Sequence, residues 1–248
     1  VGLAAGDFNN DGRDDLAIID NIFDTVEILR SFSFQDNPFL ISQGLLTVNY
    51  PFFNPNFSAI EAGDVDNDGD VDLVMTNFSG FFNSHITVVR NNFIVGNNVV
   101  NAGFNTGEAY QTFSTGGDDL VLDDFDGDGS LDVVLVSSFG NQFTLLPNSG
   151  SGTFAGTTSI TTGNNLSAVT SGDVNNDGLP DVILMDTTSI RVFESQGGLP
   201  TFTAGAVIPT GEFNGEDVVV ADFNNDGNLD IAMVDGSDSD DAIVSFGD

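Results

Sequence analysis

Twenty Asp and Asn side chains stand at four fixed offsets in five copies of one nine-residue motif, a pattern that could surround a hard cation with oxygen. The copies are Asp7, Asn9, Asp11, Gly12, Asp15; Asp64, Asp66, Asp68, Gly69, Asp72; Asp124, Asp126, Asp128, Gly129, Asp132; Asp173, Asn175, Asp177, Gly178, Asp181; and Asp222, Asn224, Asp226, Gly227, Asp230. Calcium takes six to eight oxygen ligands, and a tight loop delivers them from alternate residues at positions 1, 3 and 5. Position 6 is always Gly, as a reversal around an ion requires where a Cβ would be penalised. Position 7 is Arg13, Asp70, Ser130, Leu179 and Asn228 in turn, so only its backbone carbonyl can be a shared ligand. Position 9 is always Asp and closes the shell, whereas position 8 is loosely restricted and even admits Pro180. The expected cofactor is therefore Ca2+, about one ion for each of five loops.

Two other chemistries compete for such a loop. An EF-hand shares positions 1 to 7 but needs a bidentate Glu at position 12 and a following helix. Here position 12 is Ile18, Met75, Leu135, Leu184 and Met233, inside apolar runs. Zinc is disfavoured by one His and no Cys, and magnesium keeps several waters and uses fewer carboxylates. Plain Asp/Asn/Gly turns without metal would have no use for an invariant position 9.

The elements that must hold these loops are short. The first residues of the motifs lie 57, 60, 49 and 49 positions apart, the period of a repeated structural unit. A β-branched run follows each motif (Leu16 to Ile19, Leu73 to Thr76, Val133 to Val136, Val182 to Met185, Ile231 to Val234), too short for a helix and suited to a strand buried on both faces. A second, alternating run comes next (Thr25 to Leu29, His85 to Arg90, Phe143 to Leu146, Ser189 to Glu194, Ala242 to Phe246). A polar, Thr-rich outer run follows (Leu45 to Tyr50, Thr157 to Thr161, Ala204 to Ile208), and a fourth leads into the next motif. Four strands per period predict an all-β fold, a β-propeller of about five four-stranded blades with a calcium loop in the first hairpin of each. The whole of 1–248 reads as one repeat domain, with approximate blades 1–57, 58–117, 118–166, 167–215 and 216–248. The chain reaches its end after the third strand of the last unit, so that blade is expected to be three-stranded or completed from elsewhere, within a longer secreted parent.

Composition narrows the function classes. A formal net charge of -34, from 38 acidic residues against four Arg and no Lys, disfavours nucleic acid and anionic lipid as partners. No Cys means no disulfide framework and no thiolate site. No apolar run reaches the roughly 18 residues of a membrane span, and no signal-peptide pattern opens the chain.

The stretch Leu145 to Met185, LLPNSGSGTFAGTTSITTGNNLSAVTSGDVNNDGLPDVILM, resembles an FG-GAP or VCBS-type repeat, the blade unit also found in the propeller of integrin alpha subunits. The resemblance extends over almost the whole chain. It implies calcium loops between the first and second strands of each blade and ligand surfaces on the opposite face. In this chain that face would carry Asn21 to Asp24, Asn77 to Ser84, Ser137 to Gln142, Asp186 to Thr188 and Asp235 to Asp241.

The remaining residues offer little catalysis. His85 is the only His and has no placeable Ser or Cys partner, so a strand-end role is expected. Glu27, Glu108, Glu194 and Glu216 recur at no spacing that suggests a carboxylate pair. Arg30, Arg90 and Arg191, at or in third strands, suit salt bridges in an acidic fold. Phe52, Phe53, Phe57, Phe81 and Phe82 form either contact loops or blade packing. Asn56, Asn77 and Asn165 begin glycosylation sequons. The expectation is a non-catalytic, calcium-stabilised extracellular or cell-surface propeller for adhesion, surface display or assembly, with a protein or glycan ligand opposite the calcium loops and self-assembly or neighbouring domains as further partners. A lectin-like or accessory module of a secreted polysaccharide-active enzyme is the alternative, and a lyase-like enzyme lacks a basic catalyst.

Overall fold

A computed structural model of the chain describes residues 2–20, 25–34, 37–47, 57–78, 84–92, 104–105, 107–112, 117–138, 141–162, 166–198, 202–210, 215–235, 242–245 and 247. Among these residues there are nineteen strands and no helix. Sheet one is β1 (Leu3–Gly6), β2 (Asp15–Asp20), β3 (Thr25–Phe34) and β4 (Asn37–Thr47); sheet two is β5 (Phe57–Gly63), β6 (Asp72–Phe78), β7 (Ser84–Val89) and β8 (Glu108–Gln111). Sheet three is β9 (Asp119–Asp123), β10 (Asp132–Val136), β11 (Gln142–Leu146) and β12 (Thr158–Thr161); sheet four is β13 (Leu166–Gly172), β14 (Asp181–Asp186), β15 (Ser189–Ser195) and β16 (Phe202–Pro209). The last sheet has three strands, β17 (Gly215–Ala221), β18 (Asp230–Asp235) and β19 (Ala242–Ser245). Every sheet is an antiparallel meander in sequence order, and the five are the blades of an all-β propeller. The four-strand period and the short last blade are as the sequence predicts.

The chain divides into two compact units, Val1–Gly117 with Asn148–Phe154, and Asp118–Pro147 with Ala155–Asp248. In each unit the core lies between consecutive sheets. β14 shows why its sequence is apolar without interruption. Val182 and Leu184 join Val134, Phe143 and Leu145 of sheet three in one cluster, while Ile183 and Met185 join Val218, Ile231 and Met233 of the last sheet in another. A strand whose alternate residues face two cores has no solvent face to mark with polar residues. In the first unit Ala17, Ile19, Val26 and Ile28 pack similarly against Ile60, Leu73 and Met75.

Phenylalanine fills these interfaces. Phe143, fully buried, meets Phe193 and Phe202 edge to face at centroid distances of 5.2 and 5.5 Å. Removing such a ring from a core costs on the order of 3–5 kcal/mol, so these contacts hold the sheets together. Phe57 is likewise core; Phe52, Phe53, Phe81 and Phe82 lie outside the described residues. One boundary differs from expectation. β3 runs on to Phe34 and β4 begins at Asn37, because the two pair continuously down to Phe34 opposite Asn37, well beyond the apolar runs that mark them in sequence.

Candidate metal centre

Each motif is the loop joining the first two strands of its sheet. Position 1 follows the first strand directly and position 9 opens the second: Gly6 pairs with Asp15, Gly63 with Asp72, Asp123 with Asp132, Gly172 with Asp181 and Ala221 with Asp230. Inside the loop the position 1 carboxylate collects two backbone N–H groups in all five copies. Asp7 accepts from Asp11 (3.0 Å) and Gly12 (2.6 Å), and Asp173 from Asp177 (2.9 Å) and Gly178 (2.8 Å); Asp64, Asp124 and Asp222 do the same from their own positions 5 and 6. The position 7 N–H closes on the position 5 carboxylate at Asp68, Asp128, Asp177 and Asp226. These bonds bend the chain so that its oxygens turn inward.

Such a bend needs left-handed backbone twice. Position 6 has φ of +84, +91, +89, +92 and +95° through the five copies, as its invariant Gly predicts. Position 4 is left-handed too, at Asn10, Asn67, Gly127, Asn176 and Asn225, with φ between 54 and 76°. Its signal stood in the sequence, since every copy carries Asn or Gly there, the residues that tolerate this region best.

Position 9 is wholly buried in all five copies. Asp72 accepts the N–H of Val65 (3.0 Å) and of Asn91 (2.7 Å); Asp181 that of Val174 (3.2 Å) and Ser195 (3.0 Å); Asp230 that of Phe223 (2.9 Å) and Gly247 (2.8 Å). Asp15 takes Ser31 N–H and the Asn9 side-chain amide. One carboxylate thus ties the loop's second residue to the end of the third strand. The residue at that strand end also reaches the preceding sheet: Asn91 Nδ2 donates to Phe8 O, Asn148 Nδ2 to Val65 O, and Ser195 Oγ to Phe125 O. Neighbouring loops touch as well, Asn10 to Asp70 (2.6 Å) and Asn176 to Asn228 (3.2 Å), position 4 to position 7. Position 8 packs where it is apolar, Val71 over Gly6 and Leu229 over Gly172, so close that a Cβ on either glycine would lie 2.8 Å from it.

The oxygens fit a hard cation. Asp64, Asp66 and Asp72 bring carboxylate oxygens within 4.8 Å of one another, as do Asp124, Asp126 and Asp128. The first, fourth and fifth copies have Asn at position 3, so one of their converging oxygens is neutral. Buried oxygens without a donor, Asn9 Oδ1, Asp11 Oδ1 and Asp66 Oδ1, add to the case, because an oxygen shut away from both water and N–H gains most from an ion. The position 7 side chains of Asp70 and Asn228 accept hydrogen bonds from neighbouring loops.

Other candidates are structural. His85 is buried in β7 opposite Asn77 and Gln111. Asn77 is itself wholly buried, which removes it as an accessible sequon, while Asn56 and Asn165 lie outside the described residues. Glu108 pairs with Arg90 (2.9 Å) and accepts Tyr110 Oη–H (2.8 Å), which holds its carboxyl below the usual range. Of the segments placed opposite the loops, 21–24, 79–83, 139–140 and 236–241 lie outside the described residues. Asp186 lies within them and is buried, accepting from Thr188, Ser189 and Arg191, so that turn is closed upon itself.

Residues 124–184 and 173–233 match the FG-GAP-like repeat family. No curated protein matches the chain. Among solved structures, a lectin of Agrocybe aegerita described as recognising non-reducing terminal N-acetylglucosamine superposes with a TM-score of 0.61 at 18% identity, over 98% of this chain and 62% of the lectin. The chain thus spans less than two thirds of that protein's length. The Nup170 N-terminal domain from Chaetomium thermophilum, in complex with Nup53, aligns over 99% of this chain and 38% of its own at 10% identity and a TM-score of 0.48.

Two outcomes follow from the loop geometry. Asn225→Ala should lower stability by about 1 kcal/mol in urea denaturation, while Asn225→Gly should stay near wild type, because only the alanine strains a left-handed position. Burial pushes Asp72 up to about 7, and Asp119 and Asp181 up to about 6. A carboxyl raised on folding binds protons more tightly folded than unfolded, so its contribution is largest below the unfolded pKa and is lost as pH rises through 6 to 7. In chelator, the thermal midpoint should therefore rise as pH falls from about 7.5 to about 5, and Asp119→Asn should flatten that slope.

Proposed function

We propose that this five-bladed propeller, which carries FG-GAP-like repeats over residues 124–233, is a non-catalytic module stabilised by calcium and working outside the cell, in adhesion, surface display or assembly. The observation that carries the reading is the convergence of loop oxygens at Asp64, Asp66, Asp72 and at Asp124, Asp126, Asp128 together with the donorless buried oxygens of Asn9, Asp11 and Asp66. Side chains at positions 1, 3, 5 and 9 and the carbonyl at position 7 would hold the ion. A divalent ion there supplies the charge that the clustered carboxylates lack. The chain's own part is to hold those oxygens in place: position 1 folds the loop around its N–H groups, and position 9 fixes the loop to the third strand.

Compartment follows from affinity. Exposed acidic loops of this kind suit millimolar calcium, which is found outside cells. Non-catalytic use is favoured because the regular carboxylates are committed to the loops and the other acids are spread or salt-bridged. Glycan recognition is the second reading, favoured by the lectin that shares the fold; a protein ligand on the face opposite the loops, and self-assembly or neighbouring domains, are the other partners.

Occupancy at 100-fold over Kd contributes about 2.7 kcal/mol per independent site, so several sites weigh heavily against a stability of ordinary size. Excess chelator should lower the thermal midpoint sharply and calcium should restore it; an unchanged melt would sink the calcium reading. On a glycan array, binding that survives Asp222→Asn but is lost with changes opposite the loops would select the lectin reading.

A further inference from the structure

The chain has four cationic side chains apart from its single His, and three of them stand at the first two loops. Arg13 and Arg30 both reach Asp11 Oδ2, at 3.0 and 3.2 Å, and Arg90 lies 3.5 Å from Asp66 Oδ2. Arg30 and Arg90 occupy equivalent places. Each directly precedes the residue whose N–H binds the position 9 aspartate, Ser31 on Asp15 and Asn91 on Asp72. At the same place the later blades have Pro147, Glu194 and Phe246. The fourth arginine, Arg191, pairs with Asp186 at 2.8 Å, away from the loops. The three loops of the second unit therefore have no cationic side chain at all.

These guanidinium groups are held in place. The side chains of Arg30 and Arg90 are 17% and 16% exposed, and Arg90 is further fixed by Glu108 (2.9 Å) and Gly152 O (2.6 Å). Gly152 is confined by that contact, since a Cβ there would come within 2.6 Å of Arg90 Nε. In both loops the guanidinium faces one carboxylate oxygen, while the other, Asp11 Oδ1 or Asp66 Oδ1, is buried without a donor. Asn9, 5% exposed, directs a third such oxygen into the first loop. A guanidinium cannot supply the coordination geometry of an ion, but it offsets carboxylate repulsion when no ion is bound.

We propose that Arg13, Arg30 and Arg90 are resident counter-cations that keep the first two loops formed without a divalent ion, leaving the three loops of the second unit as the calcium-responsive ones. The inference rests on the calcium reading above and assigns the response to one unit. Hydrogen exchange on the full chain, from chelator to millimolar calcium, tests it. Amides of 124–132, 173–181 and 222–230 should gain at least about tenfold protection with calcium, and those of 7–15 and 64–72 less than about threefold. In the Arg30→Gln, Arg90→Gln double variant, the first two loops should become calcium-dependent like the others. Glu194→Arg, which installs the guanidinium beside the fourth loop, should protect 173–181 in chelator, and this serves equally if the double variant does not fold. Calcium uptake by calorimetry with uniform protection changes in all five loops would overturn the inference alone. No calcium uptake would overturn the calcium reading itself.

Discussion

A buried aspartate receiving two N–H groups is the contact on which the rest depends. At Asp72, Asp181 and Asp230 one carboxylate accepts the N–H of the loop's second residue and that of a residue at the end of the third strand. Three chain segments meet at one side chain, so the loop, the second strand and the third-strand end cannot move independently. Burying a carboxylate costs free energy, visible in the raised pKa of Asp72, and the two N–H bonds recover only part of it. The same strand end then reaches the preceding sheet through Asn91 or Ser195, which makes the loop's shape a condition for packing one blade on the next.

Positions 1 and 9 divide the work. Position 1 is a local organiser, satisfied by N–H groups four and five residues on, and it would bend the loop in any context. Position 9 is a long-range tie. A loop built from both has its bend set by its own hydrogen bonds, while the carboxylates it gathers repel one another until a cation offsets them. The charge that such a loop concentrates is the other side of the design, and three of the four arginines stand beside it.

The parts of this arrangement that repeat were legible in the sequence. Asp at positions 1 and 9 and Gly at position 6 recur without exception, and each has a physical cause in the loop. The left-handed position 4 was equally visible as Asn or Gly but is easily read as filler, because it contributes no ligand. Strand order, a short last blade and the doubly buried second strands β6, β10 and β14 followed from period and apolar runs, whereas β2 alternates buried with half-buried residues and Val234 of β18 is exposed. What sequence did not reveal depends on contacts between blades. Position 7 looks arbitrary until Asp70 is seen bonded to Asn10 and Asn228 to Asn176; its variety reflects the neighbouring loop. Asn91, Asn148 and Ser195 carry no common spacing from their motifs, since the hairpins before them differ in length.

That contrast bears on where specificity can reside. Residues fixed by the loop's own geometry must be the same in every copy, whereas residues facing a neighbour are free to differ as pairs. On the face opposite the loops, the turn at Asp186 is closed by hydrogen bonds from Thr188, Ser189 and Arg191. Repetition in this chain therefore marks what holds the blades together, and a ligand that distinguishes this protein from others built of the same repeat would have to read the parts that do not repeat.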